Sequence, residues 1–180
     1  MREETGHREF ERRLRNRERW LLGVRVMWSH LLHRRLTVLF GLAVVANYPW
    51  ERAQSRLYVL PGGAEVEWWM CAAASVADGL MVLLIFQIGR LVIGQRDWYL
   101  RPGIQGYAVT LLSGAFISVT IEWIAIYGAR WWAYSPRMPV VPLLNVGLAP
   151  LAQMLVLPPL IFTLLTWWHR KMMGREPCNG

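Results

Sequence analysis

The chain has 180 residues, enough for one compact domain and too few for two. An apolar fraction of 54% and a mean hydropathy of +0.24 exclude an ordinary soluble domain. The net charge of +8 would suit a nucleic-acid binder, but its distribution argues against one: ten of the twenty basic residues lie in residues 1–35, ahead of the first apolar run, and nineteen of the twenty are Arg. A basic arm beside a membrane span reads as a topology signal and as contact with anionic lipid.

Residues 8–33 have the pattern of an amphipathic interfacial helix. Phe10, Leu14, Leu21, Val24, Trp28 and Leu31 recur near the helical period. Arg12, Arg13, Arg15 and Arg19 occupy much of the rest and are the candidates for contact with anionic lipid or a partner. The plainer reading of the same pattern is a solvated helix lying on a partner protein. The arm is too long and too charged for the n-region of a signal peptide, so the expectation is that it is retained.

The first predicted span begins after Arg34 and Arg35 and runs from residue 36 to about Tyr58, with a kink expected at Pro49. The second runs from Trp68 to about Gly89. The third runs from Tyr107 to Tyr127, and the fourth from about Leu143 to Trp168, bent or interrupted at Pro150, Pro158 and Pro159. The fold class expected is therefore all-α: a polytopic membrane protein with a basic arm (1–35), a four-helix transmembrane domain (36–168) and a short tail (169–180). With four spans and the N-terminus inside, the arm carries ten basic residues, the 90–101 segment three and the tail three. That places sixteen of twenty inside and leaves Arg52, Arg56, Arg130 and Arg137 outside. Such an asymmetry predicts cytoplasmic termini. Eleven Trp residues suit interfacial belts: Trp68, Trp69, Trp131 and Trp132 at the outer surface, and Trp98, Trp167 and Trp168 at the inner.

Acidic residues inside a bilayer are costly, and three need a reason: Glu51, Asp78 and Glu122. Polar residues expected at similar depth are Asn47, Gln54, Asn145 and Gln153. Together with Trp50, Trp123, Trp132 and Tyr134 they would line a cavity for a lipid-like molecule, with the carboxyl groups as proton donors and acceptors. The structural alternative pairs Glu51 and Glu122 with Arg52, Arg130 or helix ends, and bonds Asp78 to Asn145 or Gln153 across a helix interface. His30, His33 and His169 stand at predicted span ends. A histidine there can hold the metal of a chlorin or haem, but the plainer reading is a solvated tip. Cys71 and Cys178 fall at different depths and form neither a disulfide framework nor a metal-ligand spacing, so no metal is expected.

NYPWERAQSRLY (47–58), ADGLMVLL (77–84), Glu122-Trp123, WAYSPRMPVVP (132–142) and VGLAPLAQMLVLPPL (146–160) give the chain a likeness. Over residues 36–165 it resembles a family of small four-helix bacterial inner-membrane proteins with Asn-x-x-Trp-Glu-x-x-Gln, Trp-x-Tyr-x-x-x-Met-Pro and Gly-Leu-x-Pro-x-x-Gln elements. It departs from that pattern at Ala77-Asp78-Gly79, where Gly-Asp is expected, and at Ser55-Arg56, where Leu-Pro is common. Through Glu122, Tyr127 and Trp132-x-Tyr134 it is also similar, more faintly, to membrane carotenoid hydratases and cyclases. The functional expectation is an accessory subunit of a larger membrane complex, photosynthetic (reaction centre–antenna) or respiratory. Such a subunit would pack against other subunits and against lipid, carotenoid, chlorophyll-type pigment or quinone, with no nucleic-acid partner and no catalysis of its own. The alternative is a membrane enzyme acting on an isoprenoid or carotenoid, with Glu51, Glu122 and Asp78 as acid and base.

Overall fold

The computed structural model describes residues 35–173. The expected arm helix with Arg12, Arg13, Arg15 and Arg19, the histidines at 30 and 33, and Cys178 lie outside the described residues. The packing discussed below belongs to the compact unit that begins at Leu39.

The described residues are mostly helical, with four helices among them: α1 over residues 35–54, α2 (Trp68–Ile93), α3 (Gly103–Trp123) and α4 (Leu148–Met173). Among the described residues, three are long and apolar enough to cross a membrane: α2, α3 with its continuation to Gly128, and α4 up to Lys171. α1 is not among them; its last two turns carry Asn47, Glu51, Arg52 and Gln54.

Helix ends follow local chemistry. α1 runs through Pro49 without interruption and stops at residue 54, four residues short of the expected Tyr58. A 3₁₀ turn at Ser55–Leu57 then leads into a short strand, β1 (Tyr58–Val59). α2 ends where Gly94 takes the left-handed conformation and donates its N–H to the Arg90 carbonyl at 3.0 Å. α3 starts four residues earlier than Tyr107, directly after Pro102, and unwinds into a π-helical turn at Ile124–Gly128. α4 starts five residues later than Leu143. Val140–Val141 (β3) and Val146–Gly147 (β4) pair antiparallel instead, and Asn145, at φ 52°, completes the turn between them. A second ladder joins β1 to β2 (Ala133–Tyr134), with Tyr58 opposite Tyr134. The two ladders cap one end of the bundle. Pro150 falls in the first turn of α4, where a missing N–H costs nothing, and Pro158 and Pro159 lie within the helix without ending it.

α3 packs most extensively on α4 and then on α2. One contact explains how α4 carries its proline pair. Pro158 has no N–H to bond the Met154 carbonyl one turn back. A Cβ on Gly114 would collide with that carbonyl oxygen, so only glycine lets α3 approach the place where α4 has lost a hydrogen bond.

The end opposite the ladders is closed by aromatic packing. Trp98 was expected as an interfacial anchor, but it is buried, with its ring against Gly89, where any Cβ would strike the indole. It meets Phe162 edge-on at 5.3 Å and donates its N–H to the Phe86 carbonyl at 3.3 Å. Tyr99 is buried beside it, 5.5 Å from Phe86. Trp167 and Trp168 remain exposed at this end, as do Trp68, Trp69 and Trp131 at the other.

Candidate functional site: carboxyl groups on a half-open apolar cavity

The capped half of the bundle holds polar side chains from all four helices. In α1, Asn47, Glu51 and Gln54 are spaced by four and three residues and so share a face. α2 contributes Asp78, α3 Ser118 and Glu122 one turn apart, and α4 Gln153.

Gln153 is the hub. Its Nε2 donates to Asn47 Oδ1 at 2.8 Å, Asp78 Oδ2 at 2.8 Å and Glu51 Oε1 at 2.9 Å. Its Oε1 accepts from Gln54 Nε2 at 2.8 Å, and the same Gln54 nitrogen donates to Glu51 Oε1 at 2.6 Å. Asn47 Nδ2 is satisfied by the Ala43 carbonyl at 2.8 Å. An amide nitrogen has two hydrogens, so the three acceptors around Gln153 Nε2 cannot all be fully served by it. The Glu51 and Asp78 carboxyl groups therefore compete for the same Gln153 nitrogen. Sequence reasoning offered Arg52 as a partner for Glu51; the guanidinium of Arg52 instead reaches Cys71 Sγ at 4.0 Å.

Glu122 has a separate set of partners. Tyr134 donates to its Oε2 at 2.6 Å and Tyr58 to its Oε1 at 3.4 Å. The Tyr134 hydroxyl in turn accepts the backbone N–H of Gly147 at 2.6 Å. A chain from backbone to phenol to carboxyl group polarises each bond in it. It also fixes Glu122 to the capping loops, because Tyr58 and Tyr134 are cross-strand partners. Burial pushes both phenols above their ordinary value, and the neighbouring Glu122 adds to the shift.

Beside these groups lies a cavity of about 500 Å³, within the range of small-molecule sites. Glu51, Asp78 and Glu122 all stand in its wall, with Gln54, Ser118, Gln153 and Trp132. The rest is apolar or aromatic, including Trp69, Met81, Trp131 and Met154. Ala73 and Ala77 are part of the lining and are also exposed, so the cavity opens on that face of α2.

Among the described residues, three buried polar atoms in this wall have no formed hydrogen bond: Gln54 Oε1, Ser118 Oγ and Trp132 Nε1. Trp132 stands beside Glu122, but its N–H does not reach hydrogen-bond geometry there. Ser118 was not foreseen. Of the seven Ser and Thr residues in α2, α3 and α4, the other six bond a carbonyl one turn back, as Ser75 does to Cys71 and Thr110 to Gly106. Ser118 alone does not.

Of the expected lining residues, Gln54, Gln153 and Trp132 stand in the wall. Tyr134 acts through Glu122, and Asn47 is buried behind Gln153. Trp50 is half-buried outside the lining. Trp123 is exposed and donates to the Leu144 carbonyl at 2.7 Å. Asn145 does not enter the bundle: it sits exposed in the β3–β4 turn, and Gln153 alone takes the Asp78 contact expected of either residue. Among the described residues, no group of three or more His, Cys, Asp or Glu side chains is gathered to hold a metal. No protein-family model, curated protein or solved structure matches this chain.

Proposed function

We propose that this chain is a membrane-embedded acid–base catalyst acting on a lipid-soluble molecule of the isoprenoid or carotenoid class. The observation that carries the reading is the convergence of carboxyl groups from three helices on one half-open apolar cavity. A structural role for Glu51, Asp78 or Glu122 alone needs no such cavity beside it. The Glu51 and Asp78 carboxyl groups, which share the Gln153 amide, and the tyrosine-bound carboxyl group of Glu122 give two proton-handling positions on one wall. A double-bond migration needs only this: a proton added to one carbon and another removed from a second, with no oxidant or reductant. The opening at Ala73 and Ala77 lies on a helix apolar enough to span the bilayer, so an apolar molecule enters from the lipid.

In this reading α1 is the fourth span, both termini are cytoplasmic and the host membrane is the bacterial inner membrane. The sixteen-to-four division of basic residues supports that orientation. Reporter fusions at residue 180 and within residues 60–66 check it: a reporter active only in the cytoplasm works at 180 and fails in the loop, and the reverse pattern sinks the topology.

The chemical test uses the host's isoprenoid and carotenoid profile with wild type, Glu51→Gln, Glu122→Gln and a deletion. General acid–base assistance is worth about 10²–10⁴ in rate, so both substitutions lose the product at normal protein level. A profile identical in all four strains defeats the enzyme reading. It leaves the accessory-subunit reading, in which the cavity holds a structural lipid or pigment against other subunits.

A further inference from the structure

We infer that the molecule this cavity takes has an uncharged hydroxyl end on a long apolar body, and that the site rejects the phosphorylated form of the same chain. This deepens the proposed function and rests on its premise that the cavity is the ligand site.

Charge comes first. Among the described residues, the wall contains three carboxyl groups and no Arg, Lys or His. A phosphate, diphosphate or carboxylate seated there would leave water and find no cation. If the carboxyl groups are ionised it is repelled, and if they are protonated it is a buried anion without compensation. Both cases are heavily unfavourable. Arg52 is exposed and outside the wall, so its charge stays in contact with solvent.

The unpartnered atoms then choose between a neutral and a cationic end. Gln54 is 6% exposed and Ser118 4% exposed, and both stand in the cavity wall with a polar atom unmet. Buried polar groups without partners are uncommon in native structures, and each asks for an explanation. Gln54 Oε1 can only accept, because its nitrogen is committed to Glu51 and Gln153. Trp132 Nε1 can only donate. Ser118 Oγ can do either. A wall that lacks both a donor and an acceptor is answered by a group that is both. An ammonium end would satisfy Gln54 and suit the carboxyl groups, but it has no lone pair for Trp132. A hydroxyl gives its proton to one and accepts from the other. The apolar body follows from the rest of the lining and from the opening between Ala73 and Ala77, through which a chain longer than the cavity extends along α2 into lipid.

The test measures binding without turnover. Full-length protein in lipid nanodiscs is incubated with radiolabelled farnesol, farnesylamine, farnesyl diphosphate or the hydrocarbon farnesane, and retention is compared with that of empty nanodiscs. Farnesol is expected to be retained about 10-fold better than each of the others, roughly what hydrogen bonds to neutral groups supply. Gln54→Leu removes the committed acceptor and cuts that preference about 5-fold, and Ser118→Ala cuts it about 2-fold. Diphosphate or amine retained as well as farnesol overturns the inference. So does farnesane retained equally, or a preference unchanged in the variants. Should Gln54→Leu not fold, the small buried change Ser118→Ala decides alone. A farnesol preference together with unchanged product profiles in the Glu51→Gln and Glu122→Gln strains would remove the catalytic proposal and leave this one standing; farnesane retained as well as farnesol alongside lost products would do the reverse.

Discussion

The two ends of this bundle are built from the same four-helix scaffold on opposite rules. At the 94–102 end, Trp98, Tyr99, Phe86 and Phe162 fill the space between helices, and Gly89 is shaped to the indole. At the capped end, space is left open, carboxyl groups face it and, among the described residues, three polar atoms go unmet. Transmembrane helices gain little from hydrophobicity when they associate, because lipid is as apolar as leucine, so close packing and hydrogen bonds must hold them together. The aromatic end uses the first and the Gln153 network the second. The proposed function is assigned to the end that forgoes packing.

If the aromatic end is the structural one, its loss is felt as stability alone. Trp98→Ala should cost about 3–5 kcal/mol in unfolding in detergent, the usual range for deleting a buried large aromatic, while farnesol preference survives in the protein that remains folded. A Trp98→Ala protein of wild-type stability would break the comparison.

Gln153→Leu strikes the other end. It strips Asn47, Glu51, Asp78 and Gln54 of a shared partner and should cost about 2–4 kcal/mol, because the buried groups left behind keep their desolvation penalty. Asp78 and Phe86 are eight residues apart on α2, about 12 Å, so the Trp98 and Gln153 losses should add. A double variant clearly better or worse than the sum would show that the two ends are one cooperative unit.

The smallest effect concerns Tyr58 and Tyr134. Both phenols hold their protons above the ordinary value of 10.0, and an unfolded chain would release them near that value. The folded state binds these protons more tightly, so their contribution to stability is fully present below about pH 10 and is lost as pH rises through the folded values. Unfolding measured from pH 8 to 11 should show the wild type weakening more steeply than a Tyr58→Phe/Tyr134→Phe variant. At pH 8 that variant should be about 1 kcal/mol less stable, for the hydrogen bonds lost. Equal pH slopes in the two proteins would place the alkaline loss elsewhere.

Hydropathy is a local property, and what depends on it was legible in the chain: three helices long and apolar enough to cross a membrane, α2, α3 and α4, to within a few residues, and the presence of Glu51, Asp78 and Glu122 in apolar runs. The spacing of Asn47, Glu51 and Gln54 already put them on one face. Which way the other helices turn was not legible, because α2, α3 and α4 are apolar nearly all round, and a helix of that kind carries no stripe to mark its inner side. Only tertiary contact made Gln153 rather than Asn145 the partner of Asp78, and freed Ser118 from its own helix. It also drew Trp98 from the interface into the core, through a glycine nine residues earlier. The late start of α4 has the same origin: Val140–Val141 found a partner in Val146–Gly147, and pairing across a turn outweighed the apolar run that sequence alone presents.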